Sequence, residues 1–309
     1  MTLINPPLLT HGGTHEARAF RMMVRDLSHN SQGITEGDDL KVRQSATPDA
    51  AVRVADGSAV IRGATWGQGS YTQYNVGYAT VPIAPTGATA RSDLLCLRVE
   101  DPEYEGTRDP EKDAIGYFHV VSNVPATTTE VPAGMTGVPL ARLDIPANTS
   151  VITDSMIKDV RHIANPRRDR KLYTAFPSSL STLTYSDNKW HTWPTAAKWT
   201  IPVPTWATSA KLVTTIAGLR LTRADVFAAM QNVFGSVQGQ NTAVDDDQGS
   251  QTRRNTVVLA DSLSIPASMR GTTQTLYLQT YMYKIETGDL SVDGGTSLIA
   301  DIEFSEGAV

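Results

Sequence analysis

Three stretches between Arg91 and Arg161 decide the fold: RSDLLCLRVEDP (residues 91–102), GYFHVVSNVPA (116–126) and TGVPLARLDIPANTSVITDSMIKDVR (136–161). Residues 93–99 are apolar nearly throughout, which predicts a strand covered on both faces. The run stops at Asp101-Pro102. Residues 117–121 and 138–145 are two more strand-length apolar runs, bounded by Pro, Gly, Asn and Asp. The turn Thr153-Asp154-Ser155 precedes Met156, Ile157 and Val160, which close the region. None of these runs carries a catalytic spacing.

Upstream, the period is two from Asp39 onward. Leu40 and Val42 alternate with Lys41 and Arg43, and Val52 and Val54 flank Arg53. Asp56-Gly57 reads as a hairpin turn before Ala59-Val60-Ile61. Tyr71, Tyr74 and Tyr78 suit half-buried strands. Pro82, inside the short run 80–83, marks an edge strand. Before this β region, Phe20, Met23, Val24 and Leu27 fall at i, i+3, i+4, i+7, one apolar face of a helix. Thr14 offers its N-cap and Glu16 its first-turn acid, and the helix should end near Asn30. Arg18, Arg21 and Arg25 lie away from that face. A helix this short is marginal alone, so it needs a partner: the following domain, a copy of itself or another protein. Pro6-Pro7 and Gly12-Gly13 make the extreme N-terminus an extended, jointed tail.

Downstream, Asn165-Pro166-Arg167-Arg168-Asp169-Arg170-Lys171 is polar, charged and proline-bearing, as linkers are. No aromatic is interleaved there to make it a nucleic-acid patch. Beyond it, residues 199–203, 211–221, 256–260, 262–265, 275–283 and 298–304 read as strands, the second with a break at Gly218. Turn signals every 8–12 residues or so point to a sandwich or jelly roll. On the 275–283 run, Leu276, Leu278, Thr280 and Met282 share one face, and Tyr277, Gln279, Tyr281 and Tyr283 share the other. Residues 225–234 fit a helix by local propensity, with Thr222 as cap. They also fit a strand with Val226, Ala228, Met230 and Asn232 on one face, and their strand neighbours favour that reading.

The expected architecture is therefore mainly β: an N-terminal helix with a compact β domain, then a C-terminal β-sandwich of jelly-roll type. Its boundaries are an N-terminal attachment segment at 1–44, a β domain of about seven strands at 45–163, a linker at 164–176 and a head at 177–309. At 309 residues, about two domains of ~150 residues are expected, each large enough for its own core. The net charge of −5 argues against a nucleic-acid partner. The single cysteine, Cys96, sits in an apolar run and reads as a core thiol. MTLINPPLLTHGG lacks the basic and apolar regions of a signal peptide. No apolar run approaches the roughly 20 residues of a membrane-spanning helix. Synthesis in a cytoplasm, with no membrane insertion, is the expectation.

The chain has no G-x-S-x-G, P-loop, H-E-x-x-H or C-x-x-C motif. His11 and His15 have metal-ligand spacing on a helix, but Gly12-Gly13 lies between them. Asp245-Asp246-Asp247 lacks the alternating oxygens of a calcium loop and reads as solvated. Asp38/Asp39 and Glu100/Asp101 are sequence neighbours and should point apart. Catalytic residues, cofactors and metal ligands are accordingly expected to be absent. Aromatics are the remaining binding chemistry, because their faces stack on sugar rings and equally fill β cores. Trp190, Trp193, Trp199 and Trp206 crowd the start of the second half, and Tyr277 and Tyr281 share a strand face with Tyr283. These are the glycan-binding candidates.

Taken in order, HEAR (15–18), GDDLKVR (37–43), AVRVADG (51–57), RSDL (91–94), VEDP (99–102), VPLARLDIP (138–146) and ITDSMIKDVR (152–161) carry a resemblance. Over nearly all of residues 11–168 the chain resembles the shared N-terminal module of minor tail, or upper baseplate, proteins of phages infecting actinobacteria. The resemblance implies a non-enzymatic virion component, homotrimeric, anchored to tail hub or distal tail proteins. The second half is more loosely similar to the jelly-roll receptor-binding heads of such proteins, which implies a host cell-surface glycan as partner and the tail tip as location. Two other classes compete. A tail-spike polysaccharide depolymerase would need a long β-helix repeat, which is missing. A carbohydrate-binding module of a secreted bacterial enzyme would be expected with a signal peptide.

Overall fold

In the computed structural model, residues 11, 15–184, 188–283 and 287–309 are described. Pro6-Pro7, Gly12-Gly13 and the expected cap Thr14 lie outside them. The chain divides into two units, Met1–Pro166 with Ala308–Val309, and Arg167–Gly307. Both are built almost wholly of antiparallel strands, so the mainly-β expectation holds.

The first unit opens with helix α1 (Ala17–Leu27). Its strands are β1 (Gly33–Ile34), β2 (Val42–Asp49), β3 (Ala51–Val54), β4 (Gly57–Arg62), β5 (Ser70–Asn75) and β6 (Ala79–Pro82), then β7 (Arg91–Val99), β8 (Gly116–Val121), β9 (Gly137–Ile145) and β10 (Ile157–Asp159). They form three sheets, in the orders β1-β4-β5, β2-β3-β6 and β10-β9-β7-β8. β7 is central, as its continuous apolar run requires, and β6 with Pro82 is an edge. One core joins the sheets: Val52, Val54, Ile61, Leu95, Leu97, Leu140 and Leu143 are all buried within it. Asp93 is a buried charge on β7, held by Arg91 Nε at 2.8 and 2.9 Å and by the Asn123 amide at 2.9 Å.

Several boundaries differ from expectation. Asp56-Gly57 is not a hairpin turn, because β3 and β4 belong to different sheets and the dipeptide carries the chain across. Gly57, at φ +140, lies so close to Asp39 that a Cβ would fall 2.6 Å from the Asp39 Cα. The expected boundary at residue 44 falls inside β2, and residues 33–44 belong with this unit, since β1 and the start of β2 are in its sheets. The helix stops at Leu27, because His29 and Asn30 take positive φ. Its N-cap position is Glu16, which makes no side-chain capping bond.

The helix docks on its own unit through the arginines that lie away from its apolar stripe. Leu27 is 74% exposed, whereas Arg21 is nearly covered. Arg21 Nε donates to the Gln68 carbonyl at 2.9 Å and Nη2 to Glu103 Oε2 at 2.6 Å. Its guanidinium lies 5.4 Å from the Tyr104 ring centroid and 5.7 Å from that of Tyr71. Arg18 forms an ion pair with the same Glu103. Beneath them, Tyr71 donates to Asp101 Oδ2 at 2.7 Å, and Gln68 Nε2 reaches Tyr71 and Thr136, each at 3.1 Å. Burial, then the hydrogen bond to Asp101, pushes the Tyr71 phenol well above its ordinary range. Hydrophobic periodicity located the helix but not its contact, because the receiving surface is polar.

The second unit contains β11 (Arg168–Ala175), β12 (Ser181–Thr184), β13 (Trp190–Thr192), β14 (Lys198–Pro202), β15 (Ser209–Thr222) and β16 (Val226–Phe234). These are followed by β17 (Val237–Gln238), β18 (Thr242–Asp246), β19 (Arg253–Ser264), β20 (Thr273–Met282), β21 (Asp289–Val292) and β22 (Ser297–Ser305). One sheet runs β11-β22-β15-β21-β12, with β19 also on β15. The other runs β13-β20-β16-β17, with β14 on β20 and β18 on β16. Their inner faces close a sandwich around a core that includes Ile201, Leu212, Ile216, Met230, Leu276 and Ile302. Phe234 and Phe304 meet across it, with ring centroids 6.2 Å apart.

Residues 225–234 do form a strand, β16. Residues 211–221 are not broken at Gly218. β15 runs through it with a register shift against β19, where Gly218 takes φ +82 and its carbonyl accepts from Arg254 at 2.9 Å. The expected linker at 164–176 is mostly strand: β11 pairs with β22 from Arg168↔Ser305 to Ala175↔Leu298. Arg168 and Arg170 lie on the outer face of this edge strand, while Asp169 and Lys171 share the face of Tyr173 and Ala175; charges on an edge strand discourage pairing with other chains.

Gly69 is a test of the helix seat. It has φ +75, and a Cβ there would lie 2.7 Å from the Arg21 carbonyl carbon. Gly69→Ala should cost about 2 to 3 kcal/mol in urea unfolding. Trypsin should then cut α1 at Arg21 and Arg25 faster than in the parent chain.

Candidate functional site

Strand alternation sorts the aromatic candidates. Trp193 and Trp199 are 4% and 6% exposed and belong to the sandwich core. Trp193 donates its indole N–H to Ser181 Oγ at 3.2 Å. Trp206 packs against the edge of that core, with the Arg167 guanidinium 5.6 Å from its ring. Trp193 and Trp199 are core residues, and Trp206 is half-buried at the core's edge.

The other candidates share the outer face of the second sheet. β20 turns Leu276, Leu278 and Met282 inward, so Tyr277, Gln279 and Tyr281 point outward, with Tyr283 just past the strand end. β13 pairs Trp190 directly with Tyr281, and their rings sit 5.7 Å apart. Tyr281 meets Tyr283 edge-on at 4.8 Å. Tyr283 in turn stacks on Phe227 of β16 at 4.4 Å, with 23° between planes. Trp190, Tyr281, Tyr283 and Phe227 thus make a continuous four-ring ladder across three strands. None is fully buried, and Tyr283 is exposed.

Next to the ladder, Gln231 Nε2 donates to Gln279 Oε1 at 2.8 Å, with Thr192 opposite Gln279. Ala229 lies opposite Tyr281 and Ala243 opposite Ala229, so small side chains floor the face beside the tall rings. Tyr277 continues the row between Lys198 and Val233. Rings can stack on the C–H faces of a sugar, and amides and hydroxyls can pair with its hydroxyl groups. Phe227 was not among the sequence candidates. Its signal was available: once 226–234 is a strand with Val226, Ala228 and Met230 inward, Phe227 must face out.

The remaining chemical candidates have structural roles. Asp246 sits at the end of β18, buried, and its cation is Arg253. Burial alone would raise the Asp246 pKa. Hydrogen bonds from Arg253, the Gln248 amide and Asn255 outweigh it, and the carboxyl titrates below its ordinary range. Arg253 also donates to the carbonyls of Gly249, Gln251 and Ala224, so the acidic segment folds around a guanidinium. Glu100 accepts from Tyr117 at 2.8 Å and Asp101 from Tyr71, so that pair is divided between two partners. Asp39 accepts from the Glu36 amide at 2.9 Å. His11 is exposed, and the His15 ring lies edge-on to Phe20 at 6.3 Å. Cys96 is buried, which pushes its thiol up to about 12. Among the described residues, no group of three or more His, Cys, Asp or Glu side chains could hold a metal ion.

No family model matches the chain, and no curated protein matches it. Among solved structures it is similar to the infectious bursal disease virus VP2 subviral particle, at 12% identity over 94% of this chain and 86% of that one, with a TM-score of 0.26. The Gx strain of the same virus gives 14% identity over 90% and 78%, also at 0.26. The Bacillus thuringiensis delta-endotoxin Cry8Ea1 gives 8% identity over 90% and 54%, at 0.25. TM-scores this low carry no argument about fold or function.

Two outcomes test this sorting. Trp193→Ala or Trp199→Ala should each destabilise the second unit by about 3 to 5 kcal/mol, read from chemical denaturation. Tyr281→Ala should cost under about 1.5 kcal/mol. Arg253→Met should cost about 2 to 3 kcal/mol at pH 7, because it leaves Asp246 buried without its cation. The folded pKa of Asp246 is depressed, so its contribution is present above the unfolded value near 4 and lost as pH falls through the folded one. The gap between variant and parent should therefore narrow in acid.

Proposed function

We propose that this chain is a virion attachment protein of a phage tail tip, in which the second unit binds a host cell-surface glycan. The observation that carries the glycan reading is the ladder Trp190–Tyr281–Tyr283–Phe227 beside the Gln231–Gln279 pair. Its rings present apolar surface that suits the C–H face of a sugar, with Asp245 opposite Phe227 and Lys198 opposite Tyr277 at its margins. Half-buried Gln279 beside them, held by buried Gln231, can supply directional hydrogen bonds to sugar hydroxyls.

The placement at a tail tip is supported by the ordered motifs of the first unit, from HEAR at 15–18 to ITDSMIKDVR at 152–161. In this reading the first unit anchors the chain to tail hub or distal tail proteins, and three copies associate. Each aromatic–sugar contact is weak. Three heads held close raise avidity by roughly 10²–10⁴ without new contacts. The chain adheres and does not cleave.

The test is binding of the full-length chain to purified host cell-wall polysaccharide and to intact cells, with oligomeric state measured by light scattering. The expected result is a trimer that binds and releases no reducing ends. Binding should change by less than about twofold between roughly 0.05 and 0.5 M salt, since little Coulombic attraction is there to screen. Tyr281→Ala and Trp190→Ala should each weaken it about tenfold, while Thr256→Ala on the other sheet should leave it unchanged. Undiminished binding by both aromatic variants would place the receptor site elsewhere.

A further inference from the structure

The outer face of the β2-β3-β6 sheet gathers three cations, Lys41, Arg43 and Arg53, beside two carboxylates, Asp38 and Asp56. The register sets Arg43 of β2 directly opposite Arg53 of β3. Like charges in that position oppose sheet formation. Lys41 joins them, its carbonyl accepting from the Ala55 amide at 2.9 Å. Among the described residues, the side chains of Lys41 and Arg43 have no hydrogen-bond or ion-pair partner. The Arg53 guanidinium lies 4.0 Å from the ring centroid of Tyr78. Stacking occupies the flat face of a guanidinium and leaves its N–H edge free for a planar carboxylate.

These groups line a half-enclosed depression of about 300 Å³, with Asp38 and Asp56 among its lining residues. Asp56 also lines a neighbouring depression of about 440 Å³, to which Tyr74 and Val76 contribute. The turn at Gly77 (φ +72) lifts this ridge out of the sheet, so that Tyr74 and Tyr78 are each 68% exposed and Val76 is 84% exposed. Three large side chains within five residues are this exposed, Tyr78 under Arg53, and Tyr74 and Val76 at the depression that shares Asp56 with that of Lys41 and Arg43. Isolated exposed apolar residues need no explanation; a contiguous group marks an interaction site.

We propose that this surface docks a segment of another protein in which carboxylate side chains alternate with apolar ones. A carboxylate enters between Arg43 and Arg53, and its apolar neighbours cover Tyr74 and Val76. Two observations favour this occupant over a free oxyanion. Asp38 and Asp56 repel a dianion such as phosphate more strongly than a single carboxylate, and a free ion leaves the apolar ridge uncovered. The inference names a partner chemistry for the anchoring role proposed above. It rests on that role for its biological setting alone.

The full-length chain is titrated into a fluorescein-labelled peptide of sequence LELEL, and into its LQLQL analogue, with anisotropy as readout. Saturable binding of the Glu peptide is expected, at least about tenfold tighter than the Gln peptide. The double variant R43Q/R53Q should lose about tenfold, and Y78A should lose affinity as well. The double variant should melt at or above the parent temperature, because it removes a like-charge pair. Equal binding of the two peptides, or undiminished binding by R43Q/R53Q, overturns the proposal. Saturable binding of inorganic phosphate with the Glu peptide inert also overturns it, in favour of a free oxyanion. Tyr281→Ala, on the other unit, should bind the Glu peptide normally, so a failure here is distinguishable from a failure of glycan binding.

Discussion

Burial of Leu276, Leu278 and Met282 against the opposing sheet sets the register of β20, and the candidate site depends on that register. Side chains alternate strictly along a strand, so committing these three residues to the core commits Tyr277, Gln279 and Tyr281 to the outer face. A one-residue slip would bury the tyrosines and expose the leucines. β13 and β16 are held in turn by their pairing with β20, which brings Trp190 and Phe227 to the same row. The aromatic ladder is thus a by-product of core formation and needs no side-chain framework of its own.

Polar contacts do a different job. The helix of the first unit is held on its sheet by Arg21, which bonds to a carbonyl and a carboxylate while lying over two tyrosine rings. The acidic end of β18 is held by Arg253. In each case a guanidinium satisfies several acceptors in fixed directions, which apolar contact cannot do. Such nodes hold a given geometry and cost heavily when one partner is removed, because the remaining charge stays buried. The Arg43–Arg53 pair lacks such a node among the described residues; Arg53 has only the Tyr78 ring against it.

An aromatic face and an arginine-bearing depression also differ in what they can recognise. Stacking on sugars is short-ranged and indifferent to salt, and it gains strength through repetition across copies. Recognition of a carboxylate by two arginines is directional and salt-sensitive.

Much of the fold was determined by the sequence alone, because a period of two and turn residues are local properties. The strands of residues 91–99, 138–145, 275–283 and 298–304 could be read from their own side chains, as could the two faces of β20. The aromatic candidates were legible as residue types. Which of them face solvent was decided only by the tertiary structure, since Trp193 and Trp199 meet a second sheet that no local pattern reveals. Phe227 joined the ladder because its segment, helical by propensity, was drawn into a sheet by its neighbours. The charged run at 168–171 looked like a linker because charges on an edge strand and charges in a solvated connector have the same composition. The helix was found by its apolar stripe, yet it seated on Arg21 because the receiving surface offered carboxylates, a carbonyl and phenol rings. Periodicity reports which residues can be buried together; only the partner surface, assembled from distant parts of the chain, decides which of them are.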